Sequence, residues 1–467
     1  MEAFREFKRI WDPDGRMNPG KLIGDLRLDE DLRLGAEHRP PQLKTHFAFP
    51  DDGGSFAGAG ERCFGMAKCR VLGGQTMCPS FQVTREERHT TRGRARLLFE
   101  MLKGDVVADG WRDEAVKESL DLCLSCKGCK SECPVHVDLA TYKAEFLSHY
   151  YARRLRPRSA YALGLIPLWA RVASRAPRLV NVLTHAPASG ALAKRAAGIA
   201  PERPLPRFAT HTFRSWFSRH QPANPDGPRV VLWADTFNDH FHPDTARAAL
   251  AVLEAGGYRV ELQPRGLCCG RPLYDYGMLA LAKRFLRRIL DAMHAELTGG
   301  LPIVVLEPSC AAVFRDELRN LLPGDEHARR LTAQTLLLSE LLDREPDRFD
   351  LRRVERRALV HGHCHHKAVL GLDAEKHVLD RLGLDWELLD SGCCGMAGSF
   401  GYEAGERYRV SIAAGERVLL PAVRRASADT LIVTDGFSCR QQIADRTGRH
   451  ALHLADAVRL ALPTAGT

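Results

Sequence analysis

A chain of 467 residues, of which 45% are hydrophobic and 27% charged, is long enough for several packed domains and lacks the composition of a disordered protein. Its formal charge of +9 is spread along the chain without interleaved aromatic and basic motifs, which argues against a nucleic-acid partner. The first residues lack a basic region followed by an apolar core, so we expect a cytoplasmic protein. In a reducing compartment, fourteen cysteines in tight groups favour metal binding over disulfides.

The N-terminal segment, residues 1–55, is predicted to have no core of its own. A short helix is followed by Trp11-Asp-Pro-Asp-Gly-Arg-Met-Asn-Pro-Gly-Lys21, and then by glycine, proline and charged residues with little periodicity. Alone, such a segment cannot bury an apolar face.

Residues 56–150 contain seven cysteines and are predicted to form an α-helical metal domain. Helical periodicity is clearest over residues 115–123 and 139–151. The strongest motif is Cys123-Leu-Ser-Cys126-Lys-Gly-Cys129-Lys-Ser-Glu-Cys133-Pro134, which has the cysteine spacing of two-cluster bacterial ferredoxins. Zinc is the alternative, although zinc sites favour two separated cysteine pairs.

A less regular cysteine group lies upstream of this motif. Cys63-Phe-Gly-Met66-Ala-Lys-Cys69 is followed after a longer interval by Cys78. In two-cluster ferredoxins the last cysteine of each motif reaches the other cluster. We therefore predict one 4Fe-4S cluster on Cys123, Cys126, Cys129 and Cys78, and a second cluster on Cys63, Cys69 and Cys133.

Met66 stands where the upstream group should have its middle cysteine, so the second site is one thiolate short. A 3Fe-4S cluster, a cubane with a non-cysteine ligand and a cubane with an open iron all stay open. His89 is the nearest candidate for a fourth ligand, and an ordinary hydrogen-bonding role for it is the alternative.

Residues 151–228 are predicted to form a helical connector that ends in a proline-rich linker. Apolar stretches alternate with arginines, which are densest between residues 153 and 178. A solvated face is one interpretation of this basic patch, and peripheral contact with anionic lipid or an acidic partner is the other. The apolar run over residues 159–170 is too short to cross a bilayer.

From residue 229 onward, short apolar strands alternate with long helices, which predicts α/β structure. One pattern occurs twice. Gly266-Leu-Cys-Cys-Gly270, a helix and a strand ending at Cys310 correspond to Ser391-Gly-Cys-Cys-Gly395, a helix and a strand ending at Cys439. This repeat predicts two related lobes, at residues 229–345 and 355–460.

The second lobe is predicted to bind metal through Cys364, Cys393, Cys394 and Cys439. Adjacent cysteine side chains diverge, so the Cys-Cys-Gly pair indicates an unusual iron-sulfur or metal geometry, and Gly395 leaves backbone room beside it. The histidines around Cys364 are predicted to be hydrogen-bonding neighbours of the site rather than ligands.

The first lobe contains Cys268, Cys269 and Cys310, but Trp233-Ala-Asp235-Thr236 stands where the counterpart of Cys364 is expected. A weaker metal site and a structural lobe without metal are both open. The rest of the chain has no dinucleotide-binding glycine motif, Walker loop or serine elbow, and no residue is assigned a catalytic role.

With these motifs, residues 62–150 and 229–467 resemble the glycolate oxidase iron-sulfur subunit family and the small subunit of anaerobic glycerol-3-phosphate dehydrogenase. Those proteins join a helical two-cluster ferredoxin module to two Cys-Cys-Gly domains, which also occur in heterodisulfide reductase. Residues 4–21 resemble the C-terminal tail of an FAD-linked oxidase, which in large D-lactate and D-2-hydroxyglutarate dehydrogenases runs directly into such an iron-sulfur half. The chain therefore resembles the C-terminal half of such a fusion, split naturally or truncated at its start.

The resemblance implies an oxidoreductase component that acts on CH-OH donors together with an FAD-linked oxidase subunit and is not catalytic alone. Electrons from a D-2-hydroxyacid (D-lactate, glycolate or D-2-hydroxyglutarate) would pass from FAD on the partner chain to quinone or another acceptor. The expected location is the cytoplasm or the inner face of the cell membrane. Two alternatives stay open: a heterodisulfide-reductase-like thiol/disulfide oxidoreductase, and a structural zinc-binding interaction module.

Overall fold

The computed structural model describes residues 1–21, 23, 30, 34–35 and 38–463. The chain divides into two compact units, residues 1–42 and 43–467. In the first unit, the predicted short helix spans Glu2–Trp11 and buries none of its residues. The Asp12 carboxylate then accepts hydrogen bonds from the backbone N–H groups of Arg16 and Met17, which closes a turn. Part of the predicted low-periodicity stretch after Lys21 lies outside the described residues.

The cysteine-rich region of the second unit is helical, as its periodicity predicts. The predicted helices over 115–123 and 139–151 span Glu114–Asp121 and Leu139–Tyr150. Asp113 and Asp138 cap them by accepting backbone N–H groups of Val116 and Thr141, and such a cap contributes about 1 kcal/mol. The other helices here are Phe56–Glu61, Pro79–Thr84, Thr91–Lys103 and Gly128–Glu132.

Residues 43–55, which the sequence groups with the N-terminal segment, pack into the second unit. Phe47 and Phe49 are buried. The Phe49 ring lies 5.5 Å from that of Phe56, and the Phe47 ring lies 6.4 Å from that of Tyr274. This stretch therefore joins the helical region to the first α/β lobe in one apolar core.

The connector is helical as predicted, and its proline-rich end is anchored. Its helices are Arg158–Ala162, Ile166–Ala173, Pro177–His185, Pro187–Ala197 and Phe213–Phe217. Arg203, within the predicted linker, is 1% exposed and donates to the Gly401 carbonyl and the Gln442 side chain. Within the described ranges, no helix is long and apolar enough to cross a membrane.

The first lobe contains a four-stranded parallel sheet of β1 (Arg229–Trp233), β2 (Arg259–Leu262), β3 (Ile303–Val305) and β4 (Thr335–Leu337), in the order β2-β1-β3-β4. Val231 of β1 pairs with Ile303 of β3. The lobe's helices are Thr236–His240, Pro243–Ala255, Arg271–Tyr274, Leu279–Ala292, His294–Thr298, Pro308–Ala312, Leu318–Leu321, Glu326–Gln334 and Leu338–Arg344.

The second lobe contains a three-stranded parallel sheet of β5 (Arg357–Val360), β6 (Asp385–Leu388) and β7 (Leu431–Val433), in the order β6-β5-β7. The predicted α/β structure is thus confirmed, and the strand pairs of both sheets are parallel. Because carboxyl ends of parallel strands meet at one sheet edge, the cysteines that follow β5, β6 and β7 converge. The lobe's helices are Asp373–Arg381, Glu406–Glu416, Leu419–Arg425, Phe437–Thr447 and Leu454–Leu460.

Candidate metal centres

The ferredoxin-like loop is held by an unusually close backbone contact. Ser125 and Lys127 adopt left-handed conformations, with φ of 53° and 58°, before the helix that starts at Gly128. A Cβ atom on Gly128 would lie 2.9 Å from the Met77 nitrogen and 3.0 Å from the Thr76 carbonyl carbon. Only glycine therefore allows the loop to approach the chain immediately before Cys78.

That approach brings together the four cysteines predicted to hold the first cluster. The Cys78 thiol interacts electrostatically with Cys129, and Cys126 interacts with both Cys129 and Cys123. Burial raises the pKa of Cys126 well above its ordinary value, and neighbouring Cys364 raises it further. A metal cluster suits such a site, because coordination replaces the proton of each thiol with a cation.

The second predicted site is a small cavity between the upstream cysteine group and the end of the ferredoxin motif. Cys63, Cys69 and Cys133 all line it, together with Met66 and with Thr91 and Arg92 at the start of a helix. Met66 is 57% exposed and brings no thiolate. The structure thus gathers the three predicted ligands around one cavity, which Met66 also lines.

Cys78 lies between the two predicted sites. A hydrogen bond from Cys78 lowers the pKa of Cys69 to about 6, although the sequence assigns these two thiols to different clusters. Cys78 Sγ also accepts a hydrogen bond from the Thr91 N–H group at 2.9 Å. The assignment of Cys78 to one site or the other stays a prediction.

His89, the sequence candidate for a fourth ligand, is directed elsewhere. Its Nδ1 lies 2.7 Å from the Thr84 hydroxyl, and the side chain is 1% exposed. Burial lowers the pKa of His89 to about 4, and the Arg94 guanidinium contributes to the shift. Among the described residues, those lining the Cys63 cavity do not include His89.

Charged residues that the sequence analysis did not single out support the ferredoxin-like loop. The Glu132 carboxylate accepts the backbone N–H groups of Thr76 and Met77 at 2.8 and 2.7 Å. The Lys127 ammonium, 1% exposed, lies 3.1 Å from Asp138 and 2.5 Å from Asp316. Asp316 is 189 residues away in the chain, so local spacing carries no signal for this contact.

In the second lobe, all four predicted cysteines are buried at the carboxyl edge of the sheet. Cys394 Sγ and Cys439 Sγ lie 3.4 Å apart, and the Gly395 N–H group lies 3.4 Å from Cys393 Sγ. A hydrogen bond from Cys393 lowers the pKa of Cys364 to about 6. Convergent, buried thiols of this kind fit an iron-sulfur or other thiophilic metal group.

Histidines flank these thiols on two sides. His361 lies with Cys394 and Cys439, and His363 and His365 lie with Cys364, each group having its ligand atoms within 4.8 Å. His361 Nδ1 is hydrogen-bonded to the Ser391 hydroxyl at 2.5 Å. The predicted role of the histidines as hydrogen-bonding neighbours stays a prediction.

The first lobe gathers three thiols. Cys269 Sγ and Cys310 Sγ lie 2.9 Å apart, and the Thr236 hydroxyl lies 3.8 Å from Cys268 Sγ. The Asp235 carboxylate, near the position where the missing cysteine is expected, accepts backbone N–H groups of Phe237 and Asn238. Burial raises the pKa of Asp235 to about 6, and Glu307 adds to this effect.

The ferredoxin-like loop and the second-lobe site are direct neighbours. Cys126, Cys364 and Cys393 belong to one buried apolar cluster, which Phe400 also joins. His365 Nε2 lies 3.0 Å from the Ser125 carbonyl oxygen, which accepts a hydrogen bond when this nitrogen carries the proton. The two groups of thiols therefore adjoin through buried side chains.

A cavity of about 220 Å³ opens beside Cys364. Phe237, Phe241 and Phe437 line it, and the Phe237 and Phe437 rings stack with centroids 4.4 Å apart. Polar groups reach the cavity from Arg271, Asp275, Ser309, His363 and His365. A largely apolar cavity with a few polar groups is typical of a small-molecule site.

Two family models match the chain: a 4Fe-4S dicluster domain over residues 59–137, and a cysteine-rich domain over residues 235–315. The D-2-hydroxyglutarate dehydrogenase of Escherichia coli (strain K12) is 24% identical over 98% of this chain and 49% of its own length. In the same strain, one of the subunits of the anaerobic glycerol-3-phosphate dehydrogenase is 29% identical over 59% of this chain and 70% of its own length. Lactate utilization protein A of Geobacillus kaustophilus (strain HTA426) is 27% identical over 49% of this chain and 98% of its own length.

These matches confirm the predicted resemblance, a 4Fe-4S region and one cysteine-rich domain; the second Cys-Cys-Gly domain stays a prediction. The chain spans about half the length of the D-2-hydroxyglutarate dehydrogenases that it matches.

Proposed function

We propose that this chain, an iron-sulfur component of an oxidoreductase with the domain pair of its dehydrogenase homologues, carries electrons from a flavin-linked partner to a separate acceptor. The partner would oxidise a D-2-hydroxyacid such as D-lactate, glycolate or D-2-hydroxyglutarate to the 2-oxoacid. Bound clusters would supply one-electron carriers, which divide a two-electron oxidation into single steps. Catalysis by the chain alone is not part of this proposal.

The observation that carries the proposal is the contact between Cys126 and Cys364. A relay requires its sites to adjoin, and these two thiols share one buried cluster. Lys143, which is buried, donates to the Cys123 carbonyl, and Arg271 reaches the Ser125 carbonyl at 3.4 Å. These contacts hold the loop against the helical module and the first lobe, and His365 of the second lobe lies 3.0 Å from the same Ser125 carbonyl oxygen.

We propose the cavity beside Cys364 as the place where electrons leave the chain. Its aromatic walls and scattered polar groups suit a planar, mostly apolar carrier that takes two electrons and two protons, which is the chemistry of a quinone. Ala162, Leu163 and Ile166 of the connector line the same cavity. The connector would therefore border the route by which such a carrier enters.

The connector also supports peripheral contact with the inner face of the membrane. Trp169, Val172, Leu179 and Val182 are between 50% and 65% exposed, an unusual density of large apolar side chains, and exposed arginines lie between them. Such a face suits the interface of an anionic bilayer. Flotation with phosphatidylglycerol vesicles should recover the chain, and Leu179→Ser with Val182→Ser should release it; equal flotation of both would exclude this role.

The predicted domain boundaries fit this assignment. We propose residues 56–150 as the two-cluster module, 151–228 as the connector, and 229–345 and 355–460 as the two Cys-Cys-Gly domains. The sequence assigns residues 1–55 to a flavin-domain tail and linker; we propose this role for residues 1–42, because residues 43–55 pack into the second unit. A cytoplasmic location, with peripheral contact to the membrane, belongs to the same proposal.

The first test measures iron, acid-labile sulfide and zinc per chain after anaerobic purification, followed by electron paramagnetic resonance before and after dithionite. Iron matched by sulfide, with reducible signals, is the expected result. Zinc without iron would leave a structural module and end the proposal.

The path is tested with the flavin partner and a D-2-hydroxyacid present. Cys126→Ser should abolish reduction of an added quinone, whereas Cys268→Ser in the first lobe should retain it. Equal loss in both variants would contradict a path through the second lobe.

Thiol/disulfide exchange is the second candidate function. Its supporting observation is Cys364, whose pKa is lowered to about 6 and which lines the cavity. A thiolate there could attack a disulfide substrate. Turnover of a disulfide without any hydroxyacid would favour this function over the relay.

A further inference from the structure

Three buried side chains other than cysteine meet in the second lobe. His366 follows β5, Asp435 follows β7, and Glu375 lies in the first turn of Asp373–Arg381. Their exposed fractions are 1%, 5% and 2%. One nitrogen of His366 and one oxygen of each carboxylate all lie within 4.8 Å of one another.

Hydrogen bonds do not satisfy all the buried polar atoms of these three side chains. His366 Nδ1 lies 3.0 Å from Glu375 Oε2, but the atoms are not aligned for a hydrogen bond. Within the described part of the chain, His366 Nε2 has no hydrogen-bond partner, and the contact between His366 Nδ1 and Glu375 Oε2 is an ion pair without good hydrogen-bond geometry. Buried polar atoms are nearly always partnered, so these convergent atoms indicate a missing ligand.

The two carboxylates of this group also lack a strongly basic partner. Asp435 accepts the Leu454 N–H group at 2.8 Å, and its nearest basic neighbour is His453 at 3.5 Å. The Nε2 atom of His453 already lies 2.9 Å from the Leu306 carbonyl oxygen. In the described residues, the ion pairs of Glu375 and Asp435 involve only histidines and no lysine or arginine.

We propose that His366, Glu375 and Asp435 bind one divalent transition-metal ion of the zinc class. An imidazole nitrogen and two carboxylate oxygens are common ligands of such ions. Ligand atoms at bond lengths of about 2.0–2.2 Å and angles between 90° and 110° are roughly 3.0–3.5 Å apart, which agrees with the separation between His366 and Glu375. The ion would neutralise the carboxylates and join two strand ends to one helix.

This site is separate from the thiols and does not depend on the proposed electron path. Its ligands contain no sulfur, whereas each cysteine site offers at least two thiols. The ion would hold the turn that carries both His366 and Cys364, and so has a structural role beside the second-lobe site. It is therefore tested by metal content and ligand type, with iron counted separately.

The experiment uses the full chain with its iron, purified anaerobically and dialysed against buffered Zn²⁺. We expect about one zinc per chain in addition to iron matched by sulfide. The zinc X-ray absorption spectrum should show only nitrogen and oxygen neighbours near 2.0–2.1 Å, without the sulfur neighbours near 2.3 Å that a cysteine site would give.

Variants then locate the ion. Glu375→Gln should lower bound zinc at least tenfold and leave iron and sulfide unchanged. Asp373→Asn is the matched control, because this exposed residue belongs to the same helix and pairs only with Lys376 among the contacts described, and it should retain full zinc.

Three results would overturn the assignment. They are no zinc in the wild-type chain after dialysis, zinc with sulfur neighbours, and zinc retained in Glu375→Gln. The first two are read on the wild-type chain, so they decide the question even if the variant fails to fold. Loss of the proposed electron path, with zinc still bound through nitrogen and oxygen, would leave this site intact.

Discussion

Replacing Lys127 with methionine should destabilise the second unit by about 3–5 kcal/mol. Lys127 is 1% exposed, and its ammonium lies 3.1 Å from Asp138, 2.5 Å from Asp316 and 3.3 Å from Glu317. Methionine would fill a similar volume without supplying a charge. The experiment therefore removes one buried cation from three buried carboxylates while largely preserving packing.

The expected loss of stability depends on which basic partners each carboxylate retains in the variant. At an effective dielectric constant of about 20, each pair near 3 Å is worth about 5 kcal/mol before the desolvation of Lys127 is subtracted. In the variant, Glu317 keeps Arg271 at 2.5 Å and Asp316 keeps Lys130. Asp138 keeps its hydrogen bonds from Thr141, but its remaining basic partner among the described residues is Lys130 at 3.7 Å, so most of its charge compensation is lost. Breaking a buried pair in this way typically costs about 3–5 kcal/mol.

The contribution of Asp138 to stability also depends on pH, and the shift of its pKa gives the direction of this dependence. Burial alone would raise the pKa of Asp138, but Lys127 and Lys130 outweigh it and hold this pKa below its usual value. The stabilisation is therefore present above pH about 4 and is lost as the pH falls through the lowered pKa. The difference between wild type and Lys127→Met should be full at pH 7.5 and smaller at pH about 2.5, measured by urea unfolding followed by circular dichroism.

Lys130→Met is the matched control. Lys130 contacts the same Asp316, but its side chain is 36% exposed, so solvent screens the pair and the loss should stay below about 1 kcal/mol. Equal losses of unfolding free energy in the two variants, or no loss in Lys127→Met, would refute the reasoning that burial of the ammonium decides how much it stabilises the protein.

Three further predictions concern packing and titration. A Cβ atom on Gly395 would lie 2.0 Å from the Ser411 carbonyl oxygen, so Gly395→Ala should cost at least about 1–3 kcal/mol and lower the iron content of the second lobe, measured by thermal unfolding and metal analysis. Because the pKa of His89 is lowered to about 4, the unfolded chain binds a proton first, so stability should fall between pH 6.5 and 4; His89→Gln should flatten that profile in urea titrations. Arg203→Met should leave the buried Gln442 oxygen without its donor and lower the melting temperature, whereas Arg207→Met, in the same stretch, should not.

Local patterns in the sequence predicted the features that depend on neighbouring residues. The spacing from Cys123 to Cys133 predicted one tight loop, and the structure folds it as a loop before a short helix. Alternation of strands and helices predicted α/β structure, and the parallel sheets that the structure shows bring Cys364, Cys394 and Cys439 to one edge.

Contacts between distant residues were not predictable in the same way. The burial of Lys127 depends on Asp316, 189 residues later, and the packing of Phe47 depends on Tyr274. Arg203 was grouped with a linker because prolines surround it, yet its partners lie about 200 residues further along. Hydrophobic periodicity describes one element at a time, so it carries no information on which distant charge or ring completes a buried contact.

The two lobes place different residues after equivalent strands. This difference indicates where the proposed electron path should end. After β5 the chain places Cys364 beside Cys126. After β1 it places Asp235, whose carboxylate already accepts the N–H groups of Phe237 and Asn238 and is engaged as a helix cap. A carboxylate fixed in that way is poorly placed to complete the three thiols of the first lobe. Phe237 instead stacks on Phe437 across the lobes, so the first lobe forms a wall of the cavity beside Cys364, and the exit for electrons should lie on the second-lobe side of that wall.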